Sequence, residues 1–159
     1  MRRKAVIADM DGTLADVRSI RHFVTSRPKD FDAFHAASEF VPANQLALDF
    51  VNAHHASGHV IVVVTARMQR WEPATRRWLE RNMAVPFDGP FHRQDGDVRP
   101  DVQVKREIHR YLARHYDIRG AVDDNPNVIA LWDELGIPTV VVPGWDVQEL
   151  NTPSTGKEK

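Results

Sequence analysis

The chain alternates short apolar runs with stretches whose apolar residues recur at helical spacing. Ala5 to Ala8, His59 to Thr65, Ile118 to Val122 and Thr139 to Val142 are rich in Val, Ile and Ala, the pattern of strands covered on both faces of a parallel sheet. Between them, Asp30 to Ser38 sets Phe31, Phe34 and Ala37 or Ser38 on one helical face. Pro42 to Ser57 sets Leu46, Phe50 and Val51, with Pro42 suited to a first turn and Gly58 to the end. Pro73 to Met83 turns Trp78 and Leu79 inward. Asp101 to His115 carries Val104, Ile108, Tyr111 and Leu112 on one stripe, and Pro126 to Leu135 is stopped by Gly136. Pro86, Gly89 and Pro90 interrupt Val85 to His92, which predicts a short edge strand. Leu14 to Pro28 has no clear period and reads as a loop or flap. The alternation predicts an α/β fold with a central parallel sheet and helices on both faces. Functional groups of such sheets gather at the carboxyl ends of the strands.

Composition narrows the class. The 159 residues suit one domain, expected over 1–150, followed by a polar tail at 151–159. With no cysteine, disulfides and thiolate metal sites are excluded. A net charge of −1 argues against indiscriminate nucleic-acid binding through a basic field. Most of the positive charge is arginine, whose fork suits phosphate recognition. No signal peptide or membrane span is evident, so a soluble cytoplasmic protein with no membrane partner is expected.

Three strand ends carry chemistry. The first runs Val6-Ile7-Ala8-Asp9-Met10-Asp11-Gly12-Thr13-Leu14 and places Asp9 and Asp11 on one side if the extended backbone continues. Gly12 then permits a sharp turn. The others end in Thr65 and in Asp123-Asp124. Carboxylates at the end of an apolar strand are costly unless paired, and a hard divalent cation is a usual partner. Asp9 and one of Asp123 and Asp124 can hold Mg²⁺. Asp9 is then a candidate nucleophile, with Asp11 protonating the leaving oxygen and deprotonating water. Thr65 can donate to a phosphate oxygen. Lys105, expected on the polar side of its helix, is the candidate cation.

Asp9-Met10-Asp11-Gly12-Thr13, Thr65, Lys105 and Asp123-Asp124, in that order, resemble the four motifs of the haloacid dehalogenase superfamily, with Asp11 in the phosphatase pattern. The resemblance implies a Rossmann-like domain without a full cap, and Asp9 as the nucleophile of an aspartyl-phosphate intermediate. It implies Asp11 as general acid/base that also binds metal through its carbonyl, Thr65 and Lys105 on the phosphate, and Asp124 in the metal site with Asp123 in support. From about residue 59 to 142 the chain is further similar to phage-type polynucleotide 3′-phosphatases. That similarity rests on Thr65-Ala66-Arg67, Thr75-Arg76-Arg77-Trp78-Leu79, Arg93-Gln94-Asp95-Gly96-Asp97-Val98-Arg99-Pro100-Asp101 and Val122-Asp123-Asp124. It implies substrate contacts from Arg67, from Asp101 (orienting Lys105 or Arg67), from Thr13 and from one of Arg18 and Arg21. Residues 16 to 42 match poorly, and no phosphate-binding Gly-x-x-x-x-Gly-Lys loop is present, which argues against 5′-phosphorylation by this stretch.

Other features have plainer readings. Arg76, Arg77 and Arg81 suit a solvated helix face. Trp71 and His92 could stack on a base, though partly buried aromatics commonly have no such role. His54, His55 and His59 suit surface or capping positions more than a metal, and Asp97 and Asp101 could cap the helix that follows. The function expected is Mg²⁺-dependent removal of 3′-phosphates from DNA or RNA ends, working with a separate kinase or ligase. The alternatives are a nucleotidase or sugar phosphatase, or a non-catalytic module that binds phosphorylated ends.

Overall fold

Every expected strand forms, and the computed structural model describes residues 1–143; the tail expected at 151–159 lies outside the described residues. The strands are β1 (Arg3–Asp9), β2 (Val60–Met68), β3 (Asp88–Arg93), β4 (Tyr116–Asp123) and β5 (Thr139–Val141). They form one sheet in the order β3-β2-β1-β4-β5, with every neighbouring pair parallel. The helices are α1 (His22–Thr25), α2 (Phe31–Ser38), α3 (Gln45–Ala56), α4 (Glu72–Asn82), α5 (Asp101–His115) and α6 (Pro126–Glu134).

Strand alternation divides the core in two. Val6 and Ala8 of β1 with Ile61 and Val63 of β2 face Ala47 and Val51 of α3 and Trp78 and Leu79 of α4. Ala5, Ile7, Val62 and Val64 point to the opposite face, against Leu112 of α5 and Val128, Leu131 and Trp132 of α6. Because neither face meets water, the strands need no polar alternation, and the continuous apolar runs follow.

Several boundaries and faces differ from expectation. Helix α3 starts at Gln45, not Pro42, because the Asn44 side chain accepts from the Leu46 amide and so caps the helix there. Its inward face is Ala47 and Val51, while Leu46 is exposed. Tyr111 of α5 is likewise exposed, and Lys105 is buried. Lys105 lies three residues before Ile108 and therefore shares the inward stripe. The Leu14 to Pro28 stretch is no free flap, since Leu14, Ala15, Val17 and Ile20 are buried in the α3/α4 core.

Two local devices position the carboxyl ends. First, β1 stops at Asp9, and Asp11 is placed by a tight turn in which the Ala15 amide donates to Met10 O and the Gly12 amide to Ala15 O. Gly12 has φ +79°, and a Cβ there would lie 2.1 Å from Asp124 Oδ2. Only glycine fits without displacing that carboxylate. Second, the β2/β3 register runs Val64↔Phe91 and then Met68↔Arg93, so β2 bulges over Thr65–Arg67. Such bulges re-aim side chains. Here the freed carbonyls are taken by β3 side chains, with Arg93 Nε donating to Ala66 O at 2.8 Å and His92 Nδ1 meeting Arg67 O at 3.2 Å.

Candidate active site

Asp9 lies at the centre of a buried charge cluster. Lys105 Nζ donates to Asp9 Oδ1 at 2.6 Å and to Asp123 Oδ2 at 3.1 Å. Burial by itself disfavours the Lys105 ammonium, but Asp123 and Asp9 outweigh it and hold its pKa above the ordinary lysine range. Asp123 is pushed up from the ordinary carboxylate value by burial and by the charge of Asp9. Its oxygens are nevertheless well served: Asp124 and Asn125 amides donate to Oδ1, and Trp132 Nε1 approaches Oδ2 at 3.4 Å. These bonds hold Asp123 as a support for the cluster.

Thr13 joins the two carboxylates that remain. Its hydroxyl is 2.9 Å from Asp9 Oδ2 and 3.0 Å from Asp124 Oδ1. A hydroxyl has one proton, so it serves only one of them at a time. Thr13 is fully buried beside these carboxylates. Asp9, Asp123 and Asp124 offer oxygens within 4.8 Å of one another. Three hard, buried oxygen donors, two of them sharing one proton, fit a small divalent cation.

Arg67 and Asp11 form the second part of the centre. Arg67 Nε and Nη2 donate to Asp11 Oδ2 and Oδ1 at 2.9 and 2.5 Å, and Nη1 donates to Thr75 Oγ1 at 3.0 Å. Asp9, Asp11, Thr65, Arg67, Asp101 and Lys105 all line one cavity, with Ala66 and His35. Its volume is 10 Å³, room for about one water. The oxygens of a phosphate bound here would compete with Asp11 for Arg67.

Arg18 and Arg21 do not line this cavity. Both border a separate cleft of 210 Å³ beside Gly12 and Asn44. Arg18 is bound to Asp16, with Nη2 donating at 2.6 Å.

Residues 3–146 match the family model of the polynucleotide kinase PNKP phosphatase domain. The chain belongs to this family. It is therefore a phosphatase of the haloacid dehalogenase fold, and its PNKP-type sequence pattern covers nearly the whole stretch. A putative bifunctional polynucleotide kinase/RNA ligase of Autographa californica nuclear polyhedrosis virus is 30% identical over 145 residues, covering 86% of this chain and 19% of the relative. A chain of the Pnkp1/Rnl/Hen1 complex superposes with a TM-score of 0.76 at 22% identity, over 91% of this chain and 47% of that one. The tungstate-bound class C acid phosphatase of Bacillus anthracis gives 0.68 at 14% identity, over 91% and 68%. The chain thus spans about a fifth of its curated relative and about half of the Pnkp1 complex chain. No helix among the described residues is long and apolar enough to cross a membrane.

Sequence reasoning gave two residues at the PNKP-type site no role. Arg93 is 2% exposed. Beyond Ala66 O, it donates to Asp97 O, to Arg99 O and, at 2.7 Å, to Asp101 Oδ1. Asp101, expected to orient Lys105 or Arg67, also ties Arg93 to α5, and its charge adds to the hold on the Lys105 ammonium, while Pro100 rather than an acidic side chain stands at the helix N-cap. The only sign of Arg93 in the sequence is its place at the head of the Arg93-to-Asp101 motif. His35 has no signal beyond its place beside Phe34 on α2. The remaining expectations resolve simply. Trp78 and Trp132 are core. His54 and His59 stack and share an Nδ1···Nδ1 contact of 2.9 Å. Arg76 pairs with Glu72, and Arg77 and Arg81 pair with Glu39.

Proposed function

We propose that this chain hydrolyses phosphomonoesters through Asp9 and that its substrate is the 3′-phosphate end of a nucleic acid strand. The observation that carries the mechanism is the setting of Asp9. One carboxylate oxygen faces Lys105 and the other faces Thr13, and the group lines the same cavity as Thr65, Arg67 and Asp11. Asp9 attacks phosphorus as the bond to the leaving 3′-oxygen breaks, giving an aspartyl-phosphate. Asp11 delivers the proton to that oxygen. It then takes one from the water that cleaves the acyl-phosphate and releases inorganic phosphate. Lys105, Thr65 and Arg67 hold the non-bridging oxygens. Asp9 and Asp124, with Asp11 by resemblance and Asp123 in support, would hold Mg²⁺, which when bound neutralises charge developing on the phosphoryl group.

The polymer reading is supported by family membership and by a relative whose name joins a polynucleotide kinase to an RNA ligase. We infer that a separate kinase or ligase acts on the same ends. The 210 Å³ cleft lined by Gly12, Arg18 and Arg21 suits the next backbone phosphate. The test is a panel of 3′-phosphorylated and 5′-phosphorylated oligonucleotides, mononucleotides, sugar phosphates and p-nitrophenyl phosphate, with and without Mg²⁺. Oligonucleotide 3′ ends should be the best substrates. Asp9→Asn should abolish turnover of every substrate while leaving the fold intact, and retained turnover would reject the mechanism. Mononucleotides hydrolysed as efficiently as oligonucleotide 3′ ends would reject the substrate.

A further inference from the structure

The phosphate-handling residues come from the ends of β1 and β2 and from the first turns of α5, whereas His35 comes from α2, in the stretch between β1 and β2. It is 6% exposed, yet it lines the cavity that holds Asp9, Asp11 and Lys105. Phe34 stands against its ring at 5.3 Å in a T-shaped arrangement, and Trp71 leans on it, also at 5.3 Å. Helix α2 is moored to the segment beyond β2: Asp32 pairs with Arg70, and Glu39 receives Arg77 through two N–H bonds. His35 is thus held at the cavity wall by a helix whose Phe34 packs into the core on that face of the sheet.

Resting on the 3′-end reading above, we propose that His35 recognises the hydroxyl vicinal to the scissile phosphate, the ribose 2′-OH, and so makes the site selective for RNA ends. The charges of the phosphate would be matched by Lys105, Arg67 and the cation that Asp9 and Asp124 would hold. An imidazole adds what those groups lack, a ring that both donates and accepts neutral hydrogen bonds. Phe34 and Trp71 already pack against the ring, so its part is hydrogen bonding and not the stacking of a base. A 2′-OH is itself donor and acceptor, and it is the group by which proteins tell RNA from DNA.

The experiment measures kcat/KM for matched 3′-phosphorylated RNA and DNA oligonucleotides, with p-nitrophenyl phosphate as a reference, in wild type, His35→Ala and His35→Gln. Wild type should favour RNA by about tenfold, the worth of one net hydrogen bond. His35→Ala should bring the RNA-to-DNA ratio to about one, mainly through KM on RNA, because the contact is made equally in ground and transition states. Gln keeps a donor and an acceptor and should retain part of the preference. Thermal melting establishes that both variants are folded. A wild type indifferent to the sugar, a preference that survives His35→Ala, or a loss of the same factor on all three substrates would each overturn the assignment. If wild type cleaves the ester but neither oligonucleotide, the 3′-end reading falls with it; oligonucleotide cleavage without sugar preference rejects only the role of His35.

Discussion

Lys105 and Arg70 each form an ion pair with a carboxylate on another element, but in opposite surroundings. Lys105 is 3% exposed and sits 2.6 Å from Asp9 and 3.1 Å from Asp123, side chains that are 6% and 0% exposed. Arg70 reaches Asp32 at 3.2 Å with the two side chains 56% and 74% exposed. The first pair belongs to the carboxyl end of the sheet and the second moors α2 above it. Buried ions that lose a partner leave an uncompensated charge, whereas exposed pairs are screened and contribute little. The centre is therefore intolerant of substitution, whereas the surface moorings of α2 can vary at little cost. On the proposed role of His35, that division would let the sheet keep its chemistry while the segment between β1 and β2 tunes the substrate.

The largest break should come at Lys105. Lys105→Met strands Asp9 and Asp123 together in the core, and should lower stability by about 3 kcal/mol or more as well as abolish turnover. Urea denaturation with chelator present measures the first effect. A midpoint matching wild type would show that the cluster tolerates losing its cation.

Arg93 comes next, since one buried guanidinium joins the β2 bulge to Asp101 of α5. Arg93→Lys keeps the charge and loses the fork. Turnover should fall by about 100-fold, as expected when reacting groups are misplaced by an ångström, and excess guanidine should not restore it through the retained ammonium. Steady-state kinetics with p-nitrophenyl phosphate measures the loss, and near-normal turnover would show that the bulge holds its shape alone.

Gly12→Ala acts on the metal site. The positive φ costs about 1–2 kcal/mol for a residue with a Cβ, and that Cβ would meet Asp124 Oδ2 at 2.1 Å. The Mg²⁺ concentration for half-maximal activity should rise by about tenfold or more. An unchanged Mg²⁺ titration would place Asp124 outside the metal site.

His92 gives a smaller, pH-dependent effect. Burial pushes its pKa below the ordinary histidine value, and the Arg67 carbonyl only partly offsets this. Because a carbonyl only accepts, Nδ1 carries the proton, and Nε2 is buried with no partner among the described residues. The folded state therefore resists a second proton. The contribution is full above about pH 6.5 and is lost as pH falls through the lower folded pKa, by up to about 1.4 kcal/mol per pH unit. His54 and His109 are shifted the same way by burial, so they add to the slope. His92→Gln should flatten the fall in urea midpoint between pH 6.5 and 5.5, and an unaltered slope would assign it to the other two.

The same contrast governs what could be read from sequence. The strands were legible because both faces of the sheet are dry and leave continuous Val and Ile runs. The carboxylates and Lys105 were legible because acids at the ends of apolar strands, followed in order by a hydroxyl and a cation, suit phosphate chemistry and little else. Position on a helix was less so: Lys105 read as polar-face because charge suggested solvent, although its spacing from Ile108 and Leu112 put it inward. Arg93 lay hidden because its partners are mostly backbone carbonyls, one freed by the β2 bulge and two in the loop before α5, and no residue pattern announces them. The stretch from Leu14 to Ser38 was hardest. Its buried residues, Leu14, Val17, Ile20 and Phe34, follow a turn and two short helices and keep no single period.

The smallest expected effect concerns the moorings of α2, and it separates stability from recognition. Arg70→Ala removes an exposed pair, so the melting temperature should move by no more than the equivalent of about 0–1 kcal/mol. Arg70 also offers its amide to Asp95 Oδ1, a backbone contact that alanine retains. Turnover of p-nitrophenyl phosphate should hold, because no phosphate-handling residue touches this pair. What should change is KM for an oligonucleotide end, by about two- to threefold, as α2 carries His35 less firmly over the cavity and more ordering must occur on binding. High salt should weaken the wild-type mooring in the same way and shrink the gap between variant and wild type. Should Arg70→Ala instead lower kcat on the small ester, α2 would belong to the catalytic centre, and the division between a fixed centre and a variable roof would be wrong.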